Sequence, residues 1–333
     1  MIFEDLQTTP TASELLGTAF SRAARAGRAK HGVEAQQSML QTASNVLSDN
    51  LEHVVRDWPD FESVDPFYYE LADALVGVDP LRKHLSEISW ASRKSHELGR
   101  EYIGRLPKGD PDAARKIRKQ GFARMGSVVN EVSEDLDAVG EARDTLSTLP
   151  DIDPDVPTIA VAGYPNVGKT AFVNAVTRAH NETAAYPFTS TGINVGHVER
   201  NHLTYQIVDT PGLLDRPAEE RNEIESQATS ALSHVADLVL YVFDASETCG
   251  YPLADQRALR AEIEETIDAP MRSVCNKADL SREVEADHYM TIPAETDTGV
   301  AGESPEAVLE AAIDALDVEI ELPFEDISRS RRR

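Results

Sequence analysis

The sequence predicts an all-α helical bundle followed by an α/β domain with a mostly parallel sheet flanked by helices. Three observations predict it. Residues 1–150 carry helical periodicity and no alternating strand pattern. Beyond them, short apolar runs alternate with helical stretches, the pattern of strand-helix-strand units. Between the two lies Pro150-Asp-Ile-Asp-Pro-Asp-Val-Pro157, acidic and proline-rich, which reads as a junction over 151–157. A chain of 333 residues suits two domains, each able to bury a core.

In the first part, helices are predicted over Thr11 to Ala29, Gln36 to Asp57, Pro66 to Val76, Leu81 to Arg105 and Asp110 to Leu149. Asp110-Pro111 opens the last, with the carboxylate as cap and proline in the first turn.

In the second part, 158–318, Thr158 to Gly163 reads as a buried strand and Thr170 to Val176 as the start of a helix. Between them stands Gly163-Tyr164-Pro165-Asn166-Val167-Gly168-Lys169-Thr170, then Ala171. This fits G-x-x-x-x-G-K-[ST]. The glycines let backbone N–H groups wrap phosphates at a helix N-terminus, the lysine neutralises β/γ oxygens, and the hydroxyl reaches Mg²⁺. Only 8 of the 32 basic residues are lysines, yet Lys169 and Lys277 both fall within nucleotide motifs.

Thr204 to Asp209 reads as an edge-side strand delivering a carboxylate to the Mg²⁺ shell. It leads into Asp209-Thr210-Pro211-Gly212, whose glycine can offer a backbone N–H to a γ-phosphate. Met271 to Cys275 is a further strand, ending in Asn276-Lys277-Ala278-Asp279. A carboxylate at Asp279 can accept two N–H bonds from guanine, whereas adenine's edge would leave it unpaired. The three motifs, 40 and 67 residues apart, are the ordered signature of a GTP-hydrolysing switch.

The connecting pieces are expected as follows. Tyr186 to Gly192 is a polar loop whose hydroxyls complete the Mg²⁺ shell when the γ-phosphate is present, with Thr189, Ser190 and Thr191 all open as the ligand. Pro293-Ala294 falls in a last base-contacting loop, with the Ala294 N–H aimed at the guanine carbonyl and Pro293 where such loops usually carry serine. Leu213 follows Gly212, so the glutamine that positions water in many small GTPases is missing and intrinsic turnover should be slow. Asn166 holds the position that coordinates K⁺ in potassium-stimulated GTPases, so K⁺ should stimulate turnover where Na⁺ does not; the plainer alternative is a turn residue.

These residues, with Tyr186-Pro-Phe-Thr-Ser, Val195-Gly-His197, Asp209 to Pro217, Arg221-Asn222 and Tyr241 to Gly250, resemble the nucleolar GTP-binding branch of the Obg-type GTPases. Upstream, Phe61 to Leu71, Phe122 to Met125 and Leu146 to Pro154 resemble that branch's N-terminal helical domain and its junction. The resemblance covers roughly residues 10 to 320. It implies a P-loop GTPase domain behind a helical bundle, working in large ribosomal subunit assembly, with the helical domain and switch loop on ribosomal RNA. It also implies Mg²⁺ on Thr170, Asp209 and Ser190, the last standing where the family usually has a second threonine. The long basic C-terminal region of eukaryotic members has no counterpart in 319–333, and its contacts are not carried over.

Charge and composition add bounds. The net charge is −26, with 24 arginines against 8 lysines. This resembles proteins from cells holding molar KCl and points to an archaeal, halophile-like member; an acidic mesophile protein is the alternative. The charge is uneven. Residues 1–150 hold 18 basic and 24 acidic residues, while Arg82 to Arg124 holds 12 basic and 5 acidic, net +7. Within it, Arg115, Lys116, Arg118, Lys119 and Arg124 are candidate RNA contacts on one helix, the alternative being a solvated face. Four arginines among Arg329 to Arg333 are a second candidate phosphate contact or a disordered end. At about 1 M salt the Debye length is about 3 Å, so RNA contacts there must be close.

Cys249 and Cys275 lack metal-ligand spacing and read as reduced core thiols. No apolar run is long enough to span a membrane and no signal peptide is evident, so the expectation is a soluble, cytoplasmic monomer. The functional expectation is a GTP-hydrolysing switch binding GTP and GDP, with rRNA of a large-subunit precursor as partner. The alternative is a GTP-gated signalling or stress switch with a protein partner and no RNA.

Overall fold

A computed structural model describes residues 2–149, 152–177, 181–184, 193–210, 214–292 and 302–316, the side chains of 181–184, 193 and 194 excepted. The chain divides into two compact units, Met1–Leu149 and Pro150–Arg333.

The first unit is helical throughout: α1 (Ala12–Arg28), α2 (Gly32–Arg56), α3 (Pro66–Val76), α4 (Val78–Gly104), α5 (Pro111–Glu131) and α6 (Ser133–Leu146). Its helix starts are written in the sequence. Thr11 and Glu14 form a reciprocal capping box on α1, and Asp65 and Asp110 cap α3 and α5 ahead of a proline in the first turn. Leu40, Leu47, Leu51, Leu71, Ile88, Met125 and Leu136 fill the core. The Ser92 hydroxyl donates to the Ser48 carbonyl at 2.9 Å, tying α4 to α2.

One expectation changes here. The helix expected from Asp110 to Leu149 is two, interrupted at Val132 (φ −102°, ψ 19°). Val132 is 1% exposed, and Val128, Val129, Leu136 and Val139 continue the buried series on either side of the break.

The second unit carries β1 (Thr158–Ala162), α7 (Lys169–Thr177), β2 (Asn181–Ala184), β3 (Ile193–Arg200), β4 (Leu203–Asp209), a 3₁₀ turn (Ala218–Glu220), α8 (Glu223–Ser233), β5 (Leu238–Asp244), α9 (Leu253–Thr266), β6 (Met271–Asn276), β7 (His288–Tyr289) and α10 (Pro305–Asp314). Among the described residues, seven strands run in the order β2-β3-β4-β1-β5-β6-β7. From β4 to β7 neighbouring strands are parallel, whereas β2, β3 and β4 are antiparallel. Every residue of β1 and β5 is buried, as central strands of a two-sided parallel sheet require.

β4 is therefore an interior strand rather than the expected edge-side one. It pairs with β1 through Gln206 to Asp209 and with β3 across a two-residue turn at Asn201 and His202. Both turn residues have positive φ, 53° and 67°, the geometry that matches the twist of a tight hairpin. The extra hairpin shields β4 and leaves Asp209 at its carboxyl end beside β1.

Candidate guanine-nucleotide site

The carboxyl ends of β1, β4, β5 and β6 converge, which is where open α/β sheets hold ligands. The turn from β1 into α7 needs its glycines. Gly163 has φ 130° and Gly168 φ 110°; a Cβ on the first would strike the Val242 carbonyl oxygen, and on the second the Asn276 side-chain amide. Gly163 N–H donates to the Leu214 carbonyl at 3.0 Å, joining this turn to the segment after Asp209.

Lys169, at the start of α7, is buried, and its Nζ donates to the carbonyls of Gly163 at 2.6 Å and Tyr164 at 3.1 Å. Burial pushes its ammonium below the ordinary lysine value, with Asp215 and Asp209 opposing that shift. The Thr170 hydroxyl donates to Asp209 Oδ2 at 2.6 Å, bringing two hard oxygens together beside the lysine. Thr210 is buried, its hydroxyl donating to the Val161 carbonyl at 2.9 Å. Val167 and Phe172 are fully buried, and Tyr164 stacks on Tyr251 with ring centroids 4.2 Å apart.

The end of β6 closes onto this turn. Asn276 Nδ2 donates to the Val167 carbonyl at 2.9 Å, while its Oδ1 is buried with no hydrogen-bond partner among the described residues. Lys277, held at φ 53°, places Nζ 3.1 Å from the Asn166 carbonyl. Asn166 is itself left-handed, at φ 64°, and exposed. Asp279 follows as a partly exposed carboxylate. Residues 109 positions apart in sequence thus share one wall.

Asp244, at the end of β5, lies within the Tyr241 to Gly250 segment and has no role assigned to it from the sequence. It is fully buried, and its carboxylate accepts from Lys277 Nζ at 2.6 Å, Thr248 Oγ1 at 2.9 Å and Cys249 N–H at 2.8 Å through Oδ2, and from Ser246 N–H at 3.0 Å through Oδ1. The available signal was a carboxylate closing an apolar strand, the same signal that singled out Asp209.

Several expected residues lie outside the described residues: Thr189, Ser190, Thr191, Pro211, Gly212, Pro293, Ala294 and the arginines of the tail. Cys249 and Cys275 are buried thiols, and burial pushes both above the usual value. Among the described residues no His, Cys, Asp and Glu cluster could hold a metal ion. In the helical unit Arg115, Lys116, Lys119 and Arg124 are exposed on α5. Arg118 instead donates to Gln36 at 2.8 Å and lies over the Phe122 ring at 5.0 Å. At about 100° per residue, Arg124 falls on the side of α5 opposite Arg115.

A glycine-rich phosphate turn, a threonine–carboxylate pair and a guanine-type loop at the carboxyl ends of neighbouring strands define a P-loop GTP-binding protein, preceded in the chain by an all-α unit. Residues 3–153 match the NOG1 N-terminal helical domain, and residues 158–277 match the 50S ribosome-binding GTPase domain. The chain is 40% identical to the uncharacterized protein MJ1408 of Methanocaldococcus jannaschii over 74% of its own length and 69% of that protein's. It is 36% identical to nucleolar GTP-binding protein 1 of Drosophila melanogaster, over 70% of this chain and 36% of the other. A solved chain of nucleolar GTP-binding protein 1 from Plasmodium falciparum is 32% identical, with a TM-score of 0.43 over 50% of this chain and 90% of that one. The chain belongs to the nucleolar GTP-binding protein 1 family. It spans 69% of the archaeal relative but only about a third of the fly protein.

Proposed function

We propose that this protein hydrolyses GTP to GDP and phosphate as a molecular switch in assembly of the large ribosomal subunit. The observation carrying the chemistry is the convergence of Lys169, the Thr170–Asp209 pair and Asn276 on one glycine turn. The names of its relatives and of its matching domain, nucleolar and 50S ribosome-binding, support the ribosomal setting.

In this reading, amides from Gly163 to Ala171 cradle the phosphates at the start of α7. Lys169 releases the carbonyls of Gly163 and Tyr164 and donates to β/γ oxygens instead. Asn276 and Asp279 read guanine, with Lys277 beneath it and the Pro293-Ala294 loop completing the contact. Gly212, following Thr210 and Pro211, offers its backbone N–H to the γ-phosphate, and the separate loop over Tyr186 to Gly192, which carries Thr189 and Ser190, is the switch that responds to the γ-phosphate. Water attacks the γ-phosphorus in line, so catalysis is positioning and charge stabilisation rather than covalent chemistry.

Thr170 Oγ1 and Asp209 Oδ2, two hard oxygens 2.6 Å apart beside Lys169, suit Mg²⁺, with Ser190 as a third ligand. Bound there, Mg²⁺ supplies neutralisation of the β- and γ-phosphate charge. Asn166, exposed at the outer turn, is the K⁺ ligand in this reading. Arg115, Lys116, Lys119 and Arg124 provide phosphate contacts to rRNA, with Arg118 as support through Gln36 and Phe122. In this reading the protein is a cytoplasmic monomer working on a ribosomal precursor; among the described residues no helix is long and apolar enough to cross a membrane.

The test is phosphate release from GTP in KCl and in NaCl. Slow turnover in NaCl, rising several-fold in KCl and lost in Lys169→Met, is expected. ATP outcompeting GTP would overturn the reading, and equal rates in both salts would remove the role given to Asn166.

A further inference from the structure

We infer that Asp244 is a positioning residue for nucleotide binding, acting through Lys277 to hold the guanine loop against the phosphate loop. This rests on the guanine-nucleotide reading of the site.

Asp244 and Lys277 come from adjacent parallel strands, β5 and β6, paired in register with Asp244 opposite Asn276. Their side chains meet at 2.6 Å, where the carboxylate is fully buried and the ammonium partly so. An isolated carboxylate buried in this way would be costly; it is retained where its partners are fixed. Here they are fixed from both sides. Gln256 of α9 donates from Nε2 to the Asp244 carbonyl at 3.0 Å and accepts from its N–H at 2.9 Å. The loop after β5 then wraps the carboxylate with Ser246, Thr248 and Cys249.

The geometry gives Lys277 three oxygens: Asp244 Oδ2 at 2.6 Å, Thr248 Oγ1 at 2.9 Å and the Asn166 carbonyl at 3.1 Å. An ammonium has three donors, so these contacts use all of them. Two oxygens come from the β5 side and the third from the phosphate loop, at a residue whose left-handed backbone is uncommon without glycine. Lys277 is thus a strut between the loop after β5 and the phosphate loop, and Asp244 is its anchor. The same loop offers Tyr251 to stack on Tyr164, so both contacts between it and the phosphate loop depend on one folded segment. Without Asp244, Lys277 keeps its charge but loses its aim.

The experiment is a double-mutant cycle read by equilibrium binding of a fluorescent GDP, with thermal unfolding in parallel. Asp244→Asn keeps the shape and removes the charge. A hydrogen bond between charged groups corresponds to roughly 10- to 100-fold in affinity, and Asp244→Asn is expected to weaken GDP binding by about that factor. Lys277→Met retains the apolar stem and removes the ammonium. In the Lys277→Met background, Asp244→Asn should cause little further loss, because the residue acts through the lysine. Equal losses from Asp244→Asn with and without the lysine would overturn the proposal, as would wild-type affinity in Asp244→Asn. If Asp244→Asn does not fold, Thr248→Val enters the same cycle, with a smaller loss that again vanishes in Lys277→Met; an undiminished loss overturns the proposal. Wild-type protein that binds no guanine nucleotide would instead overturn the underlying reading, and the inference with it.

Discussion

Replacing Gly168 with alanine tests how tightly the phosphate turn is built. The added Cβ meets two obstacles. At φ 110° an L side chain is strained, a cost of about 1–3 kcal/mol. The new carbon also strikes the Asn276 amide, which must move and release the Val167 carbonyl, about 0.5–1.5 kcal/mol more. Together these are about 1.5–4.5 kcal/mol, or roughly 10- to 2,000-fold in an equilibrium constant. Gly250→Ala separates the two effects, since Gly250 has φ 94° with open space where a Cβ would stand. Measured by GDP binding and urea unfolding, Gly168→Ala should lose far more nucleotide affinity than Gly250→Ala, while both lose some stability. Comparable affinities for the two variants would refute the argument that the turn is fitted against Asn276.

Three further outcomes are expected. Asp279→Asn exchanges an acceptor pair for one acceptor and one donor, so GTP binding should fall and a xanthine nucleotide, with an oxygen where guanine has its amino group, should gain; competition binding without that gain would contradict guanine reading by Asp279. Gln206→Leu, at a fully buried residue bonded to Asp153 N–H, the Asp153 carbonyl and Thr158, should cost about 2–4 kcal/mol in urea unfolding of the second unit while leaving the nucleotide motifs intact. Burial raises the Asp244 carboxyl, but Lys277, Ser246 and Thr248 more than offset it, leaving it below its ordinary value of 3.8. A depressed carboxylate contributes stability above that value and loses it as pH falls through the folded pKa, so the gap between the unfolding midpoints of wild type and Asp244→Asn should narrow steadily as pH falls below 3.8; a gap that does not narrow there would contradict the ion pair's role.

The nucleotide motifs were legible because glycine spacing, a strand before and a helix after state a backbone geometry locally. Gly163 and Gly168 are needed for positive φ and close approach, and that need shows in residue type alone. Helix starts were legible for the same reason, through Thr11, Asp65 and Asp110. The break at Val132 was not, because neither glycine nor proline marks it. The interior place of β4 depends on pairing with β3 through a hairpin whose turn residues, Asn201 and His202, are a weak signal without glycine. Asp244 meets Lys277 only because β5 and β6 lie in register, 33 residues apart in sequence. Arg118 shows the converse: its neighbours on α5 suggested a free cation, but Gln36 and Phe122, from α2 and α5, take it up.

Whether the protein is a switch read by the ribosomal precursor is decided by co-sedimentation of the purified protein with large-subunit precursors in high KCl. A non-hydrolysable GTP analogue and GDP would be compared in the same preparation. Association with the analogue and release with GDP are expected, the association weakening when Arg115, Lys116, Lys119 and Arg124 are replaced by glutamine. Absence of association in both nucleotide states, from protein that binds GTP, would contradict it.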